Sequence, residues 1–484
     1  MPKNLENAQN IVIICSTLDP ASQNIKEKLL DIRPWKKSEC SCSCSLGCAC
    51  NVYEFNQFRI VEVDAIHLEL EEIDKHLKTD CGFVCDVIIF ASRHRAKNAK
   101  PVLTAHFTGN VDEAKLGGNI GELACAAPYT LRSILRSMNM LAVNEQFEVT
   151  MESTHHGPTN IRTPCLYVEI GSTETEWVND IAGRIVANAI LAVEGSDVPV
   201  AVGFGGNHYA PRQTQMLFEA GIAFGHNFPD YTLKKLDKEI IGQAFEKSDA
   251  DFAYFDRKSM SAIDRDRLEK IINELGYEVL RESDIREMDG VPWSFCTQIR
   301  NKARELCPAG RTRLTNGIKC EVASISCEGC ICPKVKVARI SRELLEEAQK
   351  LDIERVKNVL DKHNIAYVEH KNGTVAHTII GIGDDCARFV AEELVNECIK
   401  ILKEHYTLQY DTDESKLYLT EQKFSPELAH KLGVKEGPAY GMLASGKSVM
   451  VDEMTIEPAM VYETIKRAIT LKNIKAKILE ENLL

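Results

Sequence analysis

Over the first 280 residues of this 484-residue chain, short apolar runs alternate with stretches of helical period. That is the pattern of an α/β domain, in which buried strands take turns with amphipathic helices. Ile11–Ser16 reads as a first strand and 21–30 as the helix after it. Further strands are predicted at 86–91, 101–107, 147–152, 165–170, 199–202, 221–225 and 251–255, and helices at 130–143, 174–193 and 264–275. Residues 36–51 break the alternation. Their run CSCSCSLGCAC, Cys40 to Cys50, has no hydrophobic period and reads as an inserted loop. Past Gly290 the character shifts, with a junction at Val291-Pro292-Trp293. The expected division is therefore a core over 1–285 and an α/β or α+β extension over 286–484. In the extension, 341–363 reads as one or two helices and 385–405 as a long one, followed by a Gly/Pro-rich segment over 424–441.

Composition narrows the class. With 44% hydrophobic and 7% aromatic residues the chain is expected to fold. No apolar run approaches the roughly 18–20 residues of a membrane span, and the polar first ten residues carry no signal pattern. A cytoplasmic protein without a membrane role is the expectation. Charge adds a constraint: of the net −13, −12 lies in residues 1–300. An acidic surface repels polyanions, so a nucleic-acid partner would need a local basic patch. Three stretches offer one: Arg93–Lys100 (RHRAKNAK), Lys466-Arg467 and Lys472–Lys477.

The chemistry-bearing residues are histidines set among glycines. They fall in His106–Asn110 (HFTGN), Thr154–Pro158 (THHGP), Gly205–Arg212 (GGNHYAPR) and Gly225–Tyr231 (GHNFPDY). His106, His155, His156, His208 and His226 are each expected at or just past a strand's C-terminal end, the edge where open α/β sheets bind ligands. Imidazole carries protons near neutral pH and is the commonest zinc ligand. Adjacent glycines let backbone N–H groups approach an anionic oxygen. No HExxH, GxSxG or Walker A motif is present, and GFGGNH lacks the spacing of a dinucleotide fingerprint, so no nucleotide cofactor is expected. From the residues alone the reading stops at a hydrolase-like or metal-assisted pocket.

Those segments, in that order over about residues 10–280, resemble the archaeal and plant type of D-aminoacyl-tRNA deacylase. The resemblance implies a three-layer α/β core of the phosphorylase/hydrolase type with a mixed sheet. It also implies a zinc-dependent hydrolysis of the ester between a D-amino acid and the tRNA 3′ end. Within it, His106, His155, His156, His208 and Glu169 are the expected catalytic residues. His106, His155, His156, His208 and His226 are the candidate Zn2+ ligands. Asn110, Gly157, Gly205, Gly206, Arg212 and Tyr231 are expected at the substrate, with backbone N–H groups near Gly157 or Gly205-Gly206 as oxyanion donors and Arg212 on a phosphate near the terminal adenosine. A rigid Gly157-Pro158 turn suits the rejection of L side chains. The chain departs from the compact pattern at the cysteine loop, at Asn207 where a third glycine is expected, and in its extension, which resembles that of longer archaeal members.

The 18 cysteines fit no secreted disulfide framework. Cys320, Cys327, Cys330 and Cys332 have the CxxC core of a structural metal site, while Cys40–Cys50 reads equally as a reduced loop. Two other readings stand beside the deacylase: a nucleoside phosphorylase or zinc amidohydrolase on the same scaffold, and a non-catalytic adaptor binding metal or tRNA.

Overall fold

The computed structural model describes residues 10–39, 51–96, 100–318, 335–382, 384–411 and 413–471. The cysteine loop, the Cys320–Cys332 group and Lys472–Lys477 lie outside the described residues. The chain divides into two compact units, Met1–Asp289 and Gly290–Leu484.

In the first unit, strands β1 (Ile11–Ser16), β2 (Lys36–Glu39), β3 (Asn51–Phe55), β4 (Phe58–Val63), β5 (Val87–Arg93) and β6 (Val102–His106) come before a two-residue ladder of β7 (Gly109–Asn110) with β8 (Glu122–Leu123). Strands β9 (Glu148–Met151) and β10 (Cys165–Gly171) follow. Apart from the ladder, these make one eight-stranded sheet in the order β2-β3-β4-β1-β5-β10-β6-β9. The sheet is mixed: β4, β1, β5 and β10 run parallel, β6 pairs antiparallel with β10, and β9 runs parallel to β6. β1 is buried at every position, as a continuous apolar run demands of a strand covered on both faces. The helix Pro20–Ile32 packs on one face with the helix Asp180–Leu191. On the other, Ile73 and Leu77 of the helix Ile73–Asp80 join Val12, Ile14, Phe90 and Tyr167 in a core. Helix, sheet and helix form the three layers.

A second sheet is all parallel, in the order β12 (Ala223–Phe228), β11 (Val200–Phe204), β13 (Phe252–Phe255), β14 (Val279–Leu280). The helices Lys238–Ser248 and Ala262–Glu274 bury Ile240, Phe245, Leu268 and Ile272 against it.

Three local expectations need correction. The helix read over 174–193 is two, Glu174–Trp177 and Asp180–Leu191, because Asn179 stops the chain between them and its side chain caps the second through the Ala182 N–H. The flanks of the supposed loop at 36–51 are strands: β2 pairs antiparallel with β3, which pairs with β4. And β6 and β9 oppose β5 and β10, so their C-terminal ends do not share one sheet edge. The functional side chains instead meet across a face.

The second unit is α+β. Arg311–Leu314, Ile365–Glu369, Val375–Ile382 and Val335–Arg339 form an antiparallel sheet packed by the helices Arg342–Leu351, Ile353–Asp361 and Asp384–His405. A three-stranded sheet of Thr407–Asp411, Lys416–Phe424 and Tyr462–Thr470 adjoins this core.

A buried histidine and glutamate cluster

Side chains two residues apart on a strand share a face, and the register says which meet. Tyr167 lies opposite His106 and Glu169 opposite Thr104 on β6, while Glu169 also pairs with Ser92 on β5. The ladder runs on past β5, with the His94 N–H donating to Ile170. Past β9, the Glu152 N–H donates to Ala105. His94, His106, Glu152 and Glu169 therefore project from one face, beside the stacked rings of Phe90 and Tyr167.

Glu169 sits between two of the imidazoles, with His94 Nδ1 at 3.5 Å and His106 Nε2 at 3.8 Å. Glu152, with no exposed surface, faces three: His94 Nδ1 at 3.0 Å, His208 Nε2 at 2.9 Å and His155 Nε2 at 3.6 Å. The His106 and His155 ring centres are 4.1 Å apart, and His156 lies 4.4 Å from His155. His208 enters from the GGNHY loop after β11, where Ser153 N–H donates to its carbonyl at 2.7 Å.

The tautomers are set by the main chain. Nδ1 of His106, His155 and His156 lies 3.1, 2.8 and 2.7 Å from the carbonyls of Phe107, Ser153 and Gly157. A carbonyl can only accept, so in the neutral ring Nδ1 carries the proton and Nε2 keeps its lone pair. Burial drives His155 well below the usual imidazole range and His156 down to about 4, the neighbouring His106 adding to the effect. His94 behaves oppositely. Burial disfavours its charge, but Glu152 and Glu169 outweigh it and push it up to about 11. Burial alone would raise Glu169; hydrogen bonds and charge from His106 and His94 hold it at about 2.

His106 Nε2 and both carboxylate oxygens of Glu152 are buried in this space and face only other ionisable side chains, the two oxygens at 3.0 Å from His94 Nδ1 and 2.9 Å from His208 Nε2 and the nitrogen at 3.8 Å from Glu169. Imidazole nitrogens and carboxylate oxygens crowded together in a buried space suit a cation. Ligand atoms of His106, His155 and His156 lie within 4.8 Å of one another, as do those of His94, Glu152 and His208, and those of His106, Glu152 and Glu169. Nitrogen and carboxylate donors of this kind match zinc. A cavity of 420 Å³ opens beside the cluster, lined by His155, His156, His208, Glu169, Ser92 and Arg95 among others.

Of the residues expected at the site, the structure brings together His106, His155, His156, His208 and Glu169. It does not bring His226. That ring lies inside β12 rather than past its end, fully buried, with Nδ1 3.0 Å from Thr154 Oγ1 and Nε2 2.9 Å from the Ala124 carbonyl. Both nitrogens are occupied, so it has none to offer a metal. The expected oxyanion donors are also taken: the N–H of Gly157 bonds Leu116, that of Gly205 bonds Phe228, and that of Gly206 bonds Ser259 Oγ at 2.6 Å. Gly205 and Gly206 serve a turn of positive φ, +89° and +82°. A Cβ on Gly157 would fall 2.3 Å from the Gly118 nitrogen, so close backbone approach explains that glycine, and its missing side chain faces the Gly117-Gly118 turn. The Arg212 guanidinium is held by Glu282 and Gln215. Asn110 Nδ2 donates to the Gly117 carbonyl at 2.9 Å, and Tyr231 is 62% exposed.

Two central members, His94 and Glu152, were not singled out from the sequence. His94 lies hidden within the basic run RHRAKNAK, and Glu152 ends a strand two residues before the Thr154–Pro158 motif. The signal available was an ionisable residue closing each of two apolar strands. Tyr209, whose hydroxyl is 3.0 Å from His94 Nε2, sits beside His208 in the glycine-rich motif.

An α/β sheet carrying buried carboxylates and imidazoles beside a cavity fits a hydrolytic enzyme. Comparison with known proteins gives the family. The D-aminoacyl-tRNA deacylase family profile matches residues 81–280. A D-aminoacyl-tRNA deacylase of Methanococcoides burtonii is 41% identical over 467 residues, covering 96% of this chain and 97% of the relative. Another, of Methanosarcina acetivorans, is 49% identical over 292 residues, 60% of this chain and 97% of its own length. A crystal structure described as a conserved protein of unknown function superposes with a TM-score of 0.54 at 34% identity, covering 57% of this chain and 97% of that one. The chain belongs to the D-aminoacyl-tRNA deacylase family and is a hydrolase.

Proposed function

We propose that the His/Glu cluster cleaves the ester joining a D-amino acid to the 3′ end of tRNA, and that it does so with zinc held by its own side chains. The observation that carries this reading is the convergence of buried imidazole nitrogens and carboxylate oxygens to within 4.8 Å of one another. His106, His155 and His156 would form one ligand group and His94, Glu152 and His208 another, with Glu169 between. When bound there, zinc lowers the pKa of a coordinated water to about 7 and supplies a nucleophile at neutral pH.

The protein's own groups do the rest. The carbonyls of Phe107, Ser153 and Gly157 aim three Nε2 lone pairs into one space, and such orienting contacts fix both tautomer and ring angle. Glu169, held ionised by its neighbours, faces His94 and His106 and orients them. Attack of water on the ester carbonyl gives a tetrahedral oxyanion, and the C–O bond to the ribose then breaks, the 3′ oxygen leaving as a hydroxyl. With the N–H groups of Gly157, Gly205 and Gly206 committed to the fold, the oxyanion falls to other donors. The Tyr209 hydroxyl, 3.0 Å from His94 Nε2, is the donor at hand, and one such donor is worth about 3–4 kcal/mol of barrier.

The test is release of D-tyrosine from D-Tyr-tRNA by protein as purified, after chelation, and after zinc is returned. Loss and recovery of turnover, together with zinc content that falls in His106→Ala, support the reading. Full activity in chelated, metal-free protein overturns the zinc assignment, and no release from any D-aminoacyl-tRNA overturns the substrate.

A further inference from the structure

The basic run at the end of β5 has a geometry that the hydrolytic cluster does not use. Strand alternation turns His94 inward and leaves Arg93 and Arg95 exposed on either side of it. Both guanidiniums lie over one aromatic ring, Trp177, at 5.3 and 5.5 Å from its centroid. Trp177 is itself buried, and its indole N–H donates to the His94 carbonyl at 2.9 Å. The ring therefore fixes the backbone of a cluster histidine while supporting two cations of like charge. Neither arginine forms an ion pair with a described carboxylate, whereas Arg212 is held by Glu282. Both line the cavity beside the cluster. On the same cavity stand three partly or largely exposed apolar side chains, Leu18, Ile66 and Leu116.

Two guanidiniums held on one ring, neither paired with a described carboxylate, lining a pocket in a unit of net negative charge, are a site for an anion such as phosphate. Stacking on an aromatic face keeps them in place without cancelling their charge. On the deacylase reading above, the ester carbonyl lies at the cluster, and the backbone phosphate of the terminal nucleotide stands several ångströms away. An arginine whose Cα neighbours that of His94 reaches that far. We propose that Arg93 and Arg95, carried on Trp177, grip the phosphate backbone of the acceptor end of tRNA, and that Leu18, Ile66 and Leu116 form the apolar wall beside it. The acidic unit thus meets its polyanion at one basic spot, next to the reacting bond.

The experiment pairs binding with turnover, using the full chain. The dissociation constant of uncharged tRNA is measured over a salt series for wild type, Arg93→Gln/Arg95→Gln and Arg93→Lys/Arg95→Lys. Hydrolysis of D-Tyr-tRNA is compared with that of 3′-O-(D-tyrosyl)adenosine, which has no phosphate. The glutamine pair should weaken tRNA binding about 10–100-fold and flatten the plot of log affinity against log salt by about 0.7 per lost contact. The lysine pair should restore most of the slope. The loss in kcat/KM should be at least tenfold greater for D-Tyr-tRNA than for the nucleoside ester. Unchanged tRNA affinity and slope, or equal losses on both substrates, would overturn the phosphate role. If wild type hydrolyses neither ester, the deacylase reading fails, and the binding series still decides whether these arginines hold tRNA.

Discussion

Replacing Gly157 by alanine puts the packing beneath the cluster to a quantitative test. The added Cβ would lie 2.3 Å from the Gly118 nitrogen, 2.4 Å from the Gly117 carbonyl carbon and 2.7 Å from the Gly118 Cα. Ordinary contact begins near 3.4 Å, so one backbone or the other must move by about 1 Å. These are main-chain atoms and cannot swing aside as a flexible side chain would. Overpacking of this kind costs about 1–3 kcal/mol of stability. The displaced segment also carries the Gly157 carbonyl that orients His156 and the N–H that bonds Leu116. A shift of about 1 Å in a group that positions the chemistry costs on the order of 100-fold in rate. The assay is single-turnover release of D-tyrosine from D-Tyr-tRNA, with urea unfolding run alongside to read stability. The expected result is a protein that is folded but weakened and about 100-fold slower, with its preference for D over L substrate retained, since the missing side chain faces the Gly117-Gly118 turn. Wild-type rate and stability would refute the packing argument, and lost D-over-L preference would return Gly157 to the substrate wall.

Other outcomes follow from the same contacts. Glu152→Gln keeps the shape of the side chain but removes the charge facing His94, His155 and His208. Zinc affinity, measured by competition with a chelating dye, should fall at least 10–100-fold; unchanged affinity would remove Glu152 from the site. His226 is held neutral by burial, at about 4, while its unfolded form titrates near 6.5. As pH falls the unfolded chain binds the proton first. The stability contribution is thus complete above about pH 6.5 and disappears as pH drops to about 4, a change of about 3 kcal/mol. Denaturant melts of wild type and His226→Gln across that window should converge toward low pH, and parallel curves would contradict the assignment. Gly205→Ala forces a Cβ to within 2.6 Å of Ser259 Oγ at a φ of +89°. It should cost about 1–3 kcal/mol in thermal unfolding, and a neutral result would mean the turn relaxes freely.

Local signals in the sequence were strong where burial alone decides conformation. The run IVIICS could only be a covered strand, and the helix beginning at Pro20 is announced by Asp19, whose carboxylate accepts the N–H groups of Ala21 and Ser22. Four of the cluster histidines were visible because glycine and histidine recur together in short motifs. What could not be read was strand direction and register. The opposition of β6 to β10 places Tyr167 against His106, and that fact lies in no single segment. It converts residues expected along an edge into a group meeting across a face, adds His94 and Glu152, and excludes His226. The break at Asn179 was masked by an unbroken helical period on both sides of it. The strands flanking the cysteine loop were missed because Lys36–Glu39 is too polar to signal a strand and is ordered by its partner, Asn51–Phe55.

The account rests on imidazoles and carboxylates from separate strands acting as one hydrolytic centre, and a double-mutant cycle on single-turnover D-Tyr-tRNA hydrolysis tests this most directly. His106→Ala and Glu152→Gln should each slow cleavage about 100-fold or more, and the double variant should be little worse than the slower single, because groups that act as a unit do not lose rate independently. Losses that multiply, or a single variant retaining the wild-type rate, would show that the two residues do not serve a common reaction.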